Sequence, residues 1–258
     1  MRDQHLHGPT LNGSPAHGSP DDGRTTGIVF EVGCLIWGLG IGWLVVLALA
    51  AVAPGLMEGG WLYLVSPLQL AVCGLVYAGT VRWVGVKAEP MPAHHLREGP
   101  RAEPRTRLES VGVWAAHVVA AVAGSVLLAA LMELVGVEVD EQAKVLEAVG
   151  DGRVWTADLV ALWIGAVALA PLAEEWVYRG LLFRRLRVWA PAWVAWSLPA
   201  LIFAVSHGNW SGLAIYAWLG VVFANAYRMN GHLGSAVGVH AANNLLTLVQ
   251  LMVVARMG

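Results

Sequence analysis

Residues 157–183 read ADLVALWIGAVALAPLAEEWVYRGLLF. The run is long enough to cross a bilayer as a helix, which takes about 20 mostly apolar residues. Near its end lie two adjacent carboxylates, Glu174 and Glu175, and a guanidinium, Arg179. Ionisable groups inside an apolar span are costly, so each needs a partner or a task. Glu175 and Arg179 are four residues apart on one helix face and can pair. Glu174 points about a quarter turn away and lacks that partner, so it can stay available as a base. The competing reading is that both glutamates reach the membrane interface beside the arginines that follow.

The rest of the chain agrees with a membrane protein. Of its 258 residues 57% are hydrophobic and 13% charged, about half the charged share of soluble domains. Apolar runs near 27–53, 60–83, 110–136, 157–183, 190–207, 210–228 and 233–255 predict about seven spans. They should be helices, since their unbroken apolar character is not the alternation of a membrane β-barrel. The fifth and sixth, joined at a polar corner from His207 to Gly212, are the weakest as spans. The expected fold is an all-α polytopic bundle whose last four helices form a core.

Residues 1–26 are polar and Gly/Pro-rich and are expected to be a disordered cytoplasmic tail. Residues 27–136 hold the N-terminal helices, with a polar loop at 84–109. Residues 157–255 form the last unit. No short apolar run with a small-residue cleavage site opens the chain, so no cleaved signal peptide is expected. With the N-terminus inside and seven alternating spans, thirteen of the 16 lysines and arginines face the cytoplasm. That positive-inside bias predicts a cytoplasmic N-terminus in the cell (plasma or inner) membrane. A net charge of -2 and the lack of a basic run argue against nucleic acid as a partner.

Two further clusters share the depth of Glu174. Pro191 disfavours a helical residue before it, so the chain should turn at Ala190. Glu174 lies 16 residues before Ala190, and His207, which ends the run Phe203-Ala-Val-Ser-His207, lies 16 residues after Pro191. In an antiparallel pair they come level, about 14 Å deep at helical rise. On the last span His240 and Asn244 share a face, and His240 reaches about 12 Å. A carboxylate and a histidine can hold and deprotonate water. A second histidine and an amide can donate to the oxyanion formed when water attacks a carbonyl. The same Glu/His/His set can instead bind Zn²⁺, and spacing alone does not separate the two.

Glu174-Glu175-x-x-x-Arg179, Phe203-x-x-x-His207 and His240-x-x-x-Asn244 resemble, in order, the EExxxR, FxxxH and HxxxN/D motifs of the CAAX protease and bacteriocin-processing (CPBP, or Abi) family. That family includes the type II CAAX prenyl endopeptidases. The resemblance spans about residues 157–250. It implies an intramembrane endopeptidase acting on a membrane-associated protein or peptide. Glu174 would be the catalytic glutamate assisted by His207, and His240 and Asn244 the oxyanion pair. Glu175, Arg179 and Phe203 would give support. It also implies no catalytic metal, with Zn²⁺ held by Glu174, His207 and His240 as the alternative. A bacteriocin-immunity or scaffold protein without turnover, and a proton-relay transporter, are the other function classes.

Other residues invite plainer readings. His117, mid-span, should be a satisfied core histidine. Glu31, near the start of the first span, is expected at the cytoplasmic interface. The run Arg184-Arg185-Leu-Arg187 is expected at or beyond the headgroups. Cys34 and Cys73 read as small buried hydrophobes. Gly38, Gly40 and Gly42 suggest close helix packing.

Overall fold

The computed structural model describes residues 20–57, 61–84, 106–137, 145, 149 and 156–257. Among them it is built from helices: α1 (Pro20–Val52), α2 (Leu62–Val84), α3 (Arg107–Leu134), α4 (Ala157–Trp189), α5 (Ala192–Ser206), α6 (Leu213–Asn230) and α7 (Leu233–Met257). The all-α membrane bundle expected from the sequence is what the chain adopts. Most of the tail and of the 84–109 and 137–155 connections lies outside the described residues. The parts of the tail and of the first connection that are described extend helices: α1 begins at Pro20 and α3 at Arg107. A reciprocal capping box between Thr106 and Glu109 starts α3.

Five of the helices are long and apolar enough to cross a membrane: α1 from Arg24, α2, α3, α4 and α7. Helix α5 has 15 residues and α6 has 18. At 1.5 Å per residue they reach about 22 and 27 Å, short of a hydrocarbon core of about 30 Å. These are the two segments that were weakest as spans. Helix α6 is largely an interior helix, burying Leu219, Gly220, Val222, Phe223, Ala224, Ala226 and Tyr227.

Helices α1 and α2 run antiparallel. A Cβ on Gly38 or Gly42 would strike the backbone oxygen of Cys73 or Gln69, whereas one on Gly40 would meet nothing. The small-residue packing expected there thus rests on two of the three glycines. Helix α4 lies between this hairpin and the later helices. It turns into α5 at Ala190, extended at φ −121°, ψ 152° as Pro191 requires. Helix α3 covers α6 and α7. There His117 is buried with both ring nitrogens engaged, Nδ1 to the Val113 carbonyl at 2.6 Å and Nε2 to Asn225 Nδ2 at 3.1 Å.

One expectation fails. Glu31 does not face the interface; it is fully buried. It accepts from Arg185 Nε at 2.7 Å, Tyr77 Oη at 2.8 Å and Trp189 Nε1 at 3.2 Å. Arg185 is likewise buried in the protein, whereas Arg184 and Arg187 of that run are partly exposed. Three donors around one carboxylate offset its desolvation and fasten α1 to α2 and α4.

Candidate active site

Helix α4 is not uniform. It widens to π geometry at Ile164–Leu169 and again at Trp176–Phe183, leaving Ala170–Glu175 as a short α-helical stretch between them. Single π turns inside helices recur at functional sites. The first has a traceable consequence. The Ala170 N–H bonds five residues back, to the Gly165 carbonyl. In that register the donor for the Ala166 carbonyl would be residue 171, a proline, which has no N–H. Asn244 Nδ2, on α7, donates to this carbonyl at 2.8 Å. Asn244 is thereby held with one of its two amide protons in use.

The next turn of α4 carries both glutamates, and both are buried. Glu175 Oε1 accepts from Arg179 Nη1 at 2.8 Å and from His240 Nδ1 at 2.9 Å. Arg179, at 1% exposure, donates through Nη2 to the Gly220 carbonyl on α6 at 2.8 Å. Its guanidinium lies 4.8 Å from the centre of the Phe203 ring and 5.6 Å from that of Phe223. Such contacts favour a buried cation over an aromatic face. The i, i+4 pair read from the sequence is present, joined by a third member that the spacing did not show.

Glu174 differs. Its Oε2 is buried with no hydrogen-bond partner and stands 3.8 Å from His240 Nε2, too far for a hydrogen bond. Glu175 Oε2 and Arg179 Nε also lack hydrogen-bond partners, but each belongs to a side chain already held through other atoms. The Glu175 carboxylate accepts, so His240 donates from Nδ1 and turns Nε2 toward Glu174.

His207 closes α5. Its Nδ1 donates to the Phe203 carbonyl at 2.8 Å, which frees Nε2. The chain then leaves the helix through Gly208 at φ 65°, a left-handed conformation that glycine takes readily. Asn209 Oδ1 sets the corner by accepting from Ser211 Oγ and the Gly212 N–H, both at 2.8 Å. Tyr178 on α4 donates to Ser206 Oγ at 2.9 Å, pinning this end of α5 to α4.

Glu174, Glu175, Arg179, Phe203 and His240 thus form one cluster. His207 adjoins it through Phe203, whose ring centre is 4.6 Å from its own and 5.9 Å from that of His240. Asn244 lies one turn further along α7. Among the described residues no hydrogen bond joins Glu174 to His207, so the level pairing read from the sequence is not a direct contact. Among them, too, no three His, Cys, Asp or Glu side chains are grouped to hold a metal ion. The zinc set of Glu174, His207 and His240 is therefore not assembled in this conformation. Sequence reasoning missed Phe223, Gly220, Tyr216 and Ala166, none of which belongs to a motif; the α6 positions carry only apolar periodicity.

Fold and site define a polytopic helical membrane protein with a buried carboxylate–histidine–arginine centre among its last four helices. Residues 156–246 match the Rce1-like family model, described as type II CAAX prenyl endopeptidase Rce1-like. The match runs from the start of α4 into α7 and bears out the family resemblance carried by the three motifs. No curated protein and no solved structure matches the chain.

Proposed function

We propose that the protein is an intramembrane endopeptidase that hydrolyses a peptide bond of a membrane-associated protein or peptide without a catalytic metal. The observation that carries this reading is the contrast between the two glutamates. Glu175 is held through Oε1 by Arg179 and His240, whereas Glu174 makes no hydrogen bond among the described residues and its Oε2 is buried. A buried, unpartnered carboxylate oxygen has a desolvation cost of about 1–3 kcal/mol or more, which a base for water explains. The matched family is named for an endopeptidase, which supports the same class of reaction.

In this mechanism Glu174 takes a proton from water, and His207 Nε2 accepts the second hydrogen bond that orients it. The water oxygen attacks the peptide carbonyl. His240, through Nε2, and the second amide proton of Asn244 donate to the resulting oxyanion. Glu174 returns its proton to the leaving amine. The N-terminus faces the cytoplasm and the site opens to that side.

Cleavage of tagged single-span substrates by purified protein, with and without prolonged chelation, tests the proposal. Wild type should cut equally in both conditions, and Glu174→Ala should not cut. Activity lost on chelation and restored by Zn²⁺ would establish the zinc mechanism, and equal turnover by Glu174→Ala would remove Glu174 from the chemistry.

A further inference from the structure

Helix α6 carries none of the three motifs, yet it touches each of them. Tyr216 lies flat against His207, ring centres 4.0 Å apart at 22°. Phe223 lies flat against His240, at 4.4 Å and 18°. Between them the Gly220 carbonyl accepts from Arg179 at 2.8 Å. Positions 216, 220 and 223 follow the i, i+4, i+7 spacing of one helix face.

A stacked ring fixes the plane of an imidazole, and a hydrogen bond at Nδ1 fixes its rotation within that plane. His207 has both, from Tyr216 and the Phe203 carbonyl. His240 has both, from Phe223 and Glu175. Phe203 meets each imidazole edge-on, at 63° and 80°, and so blocks a sideways swing. The direction of each Nε2 is then determined. We infer that the face of α6 formed by Tyr216, Gly220 and Phe223 is a positioning platform that aims the Nε2 atoms of His207 and His240. Its catalytic consequence rests on the peptidase reading above; its geometric content does not.

The platform can sit this close because α5 and α6 touch at Gly220. A Cβ there would come within 2.9–3.1 Å of Ala200 atoms. The Gly220 carbonyl is used for the Arg179 guanidinium although it lies inside a helix, a further sign that α6 is built around the site.

The test uses full-length protein in lipid nanodiscs with isotope-labelled histidine. The imidazole signals of His207 and His240 are assigned by their loss in single His→Gln variants. A flat aromatic neighbour shifts ring protons upfield. Tyr216→Leu should move the His207 signals downfield and leave those of His240. Phe223→Leu should do the reverse, with Phe223→Met as the volume-keeping substitute where Leu folds poorly. In turnover, each ring-removing variant should lower kcat about tenfold or more with KM little changed, since a misaimed group costs rate rather than binding. Tyr216→Phe keeps the ring and should restore both readouts. Imidazole signals that do not move, or that move with kcat unchanged, would overturn the platform. A wild-type chain inert on every substrate would sink the peptidase reading instead, and the imidazole shifts would still decide this one.

Discussion

Two neighbouring glutamates on one helix turn have separate environments, and the difference arises from what faces each. Glu175 points at Arg179 one turn on and at His240 across the bundle, whereas Glu174 makes no hydrogen bond among the described residues and stands 3.8 Å from the far nitrogen of His240. Removing one member of a buried ion pair typically costs about 3–5 kcal/mol. Glu175→Gln should therefore lower the thermal midpoint and the folded yield, and Glu174→Gln should not. Thermal unfolding in detergent checks this, and a reversed order would mean the two roles are exchanged. The Glu175–Arg179 pair was legible because four residues along a helix is a local rule. The bond to His240 was not, because it joins residues 65 apart. Glu31 was misread for the same reason. Its partner Arg185 is 154 residues away, and a carboxylate near the start of a span carries no mark of such a partner.

Apolar runs locate elements well and say little about their winding. The turn at Ala190, the polar corner after His207 and the helical state of every long run follow from proline, glycine and hydropathy. The π turns of α4 do not, because one extra residue per turn leaves composition unchanged. Pro171 links that winding to the site, since it leaves the Ala166 carbonyl to Asn244. In Pro171→Ala the new N–H competes for that carbonyl. The variant should fold normally, because an alanine suits a helix interior. Its kcat should fall about tenfold as Asn244 loses its fixed orientation. Unchanged kcat, with the Asn244 side-chain amide signal unmoved, would count against this link. Length and hydropathy set α5 and α6 apart from the other helices, but do not record whether lipid or protein covers them.

Across the whole molecule, the hairpin α1–α2 and helix α3 flank the four helices that hold the site, and the buried Glu31 cluster ties that hairpin to α4. Peptide hydrolysis at such a site needs a water path. The proposed orientation puts that path on the cytoplasmic side. Cysteines introduced as Ser206→Cys and Ala241→Cys should react with a water-soluble maleimide from the cytoplasmic side only. The native Cys34 and Cys73 are buried and should stay silent. Labelling from outside alone would invert the topology, and no labelling from either side would argue against a wet site. The most direct test of the whole account is paired turnover and melting of Glu174→Gln, which removes the base and keeps the shape. The expected result is a wild-type melting midpoint with no cleavage of any substrate that the wild type cuts. Wild-type turnover by this variant would contradict the account.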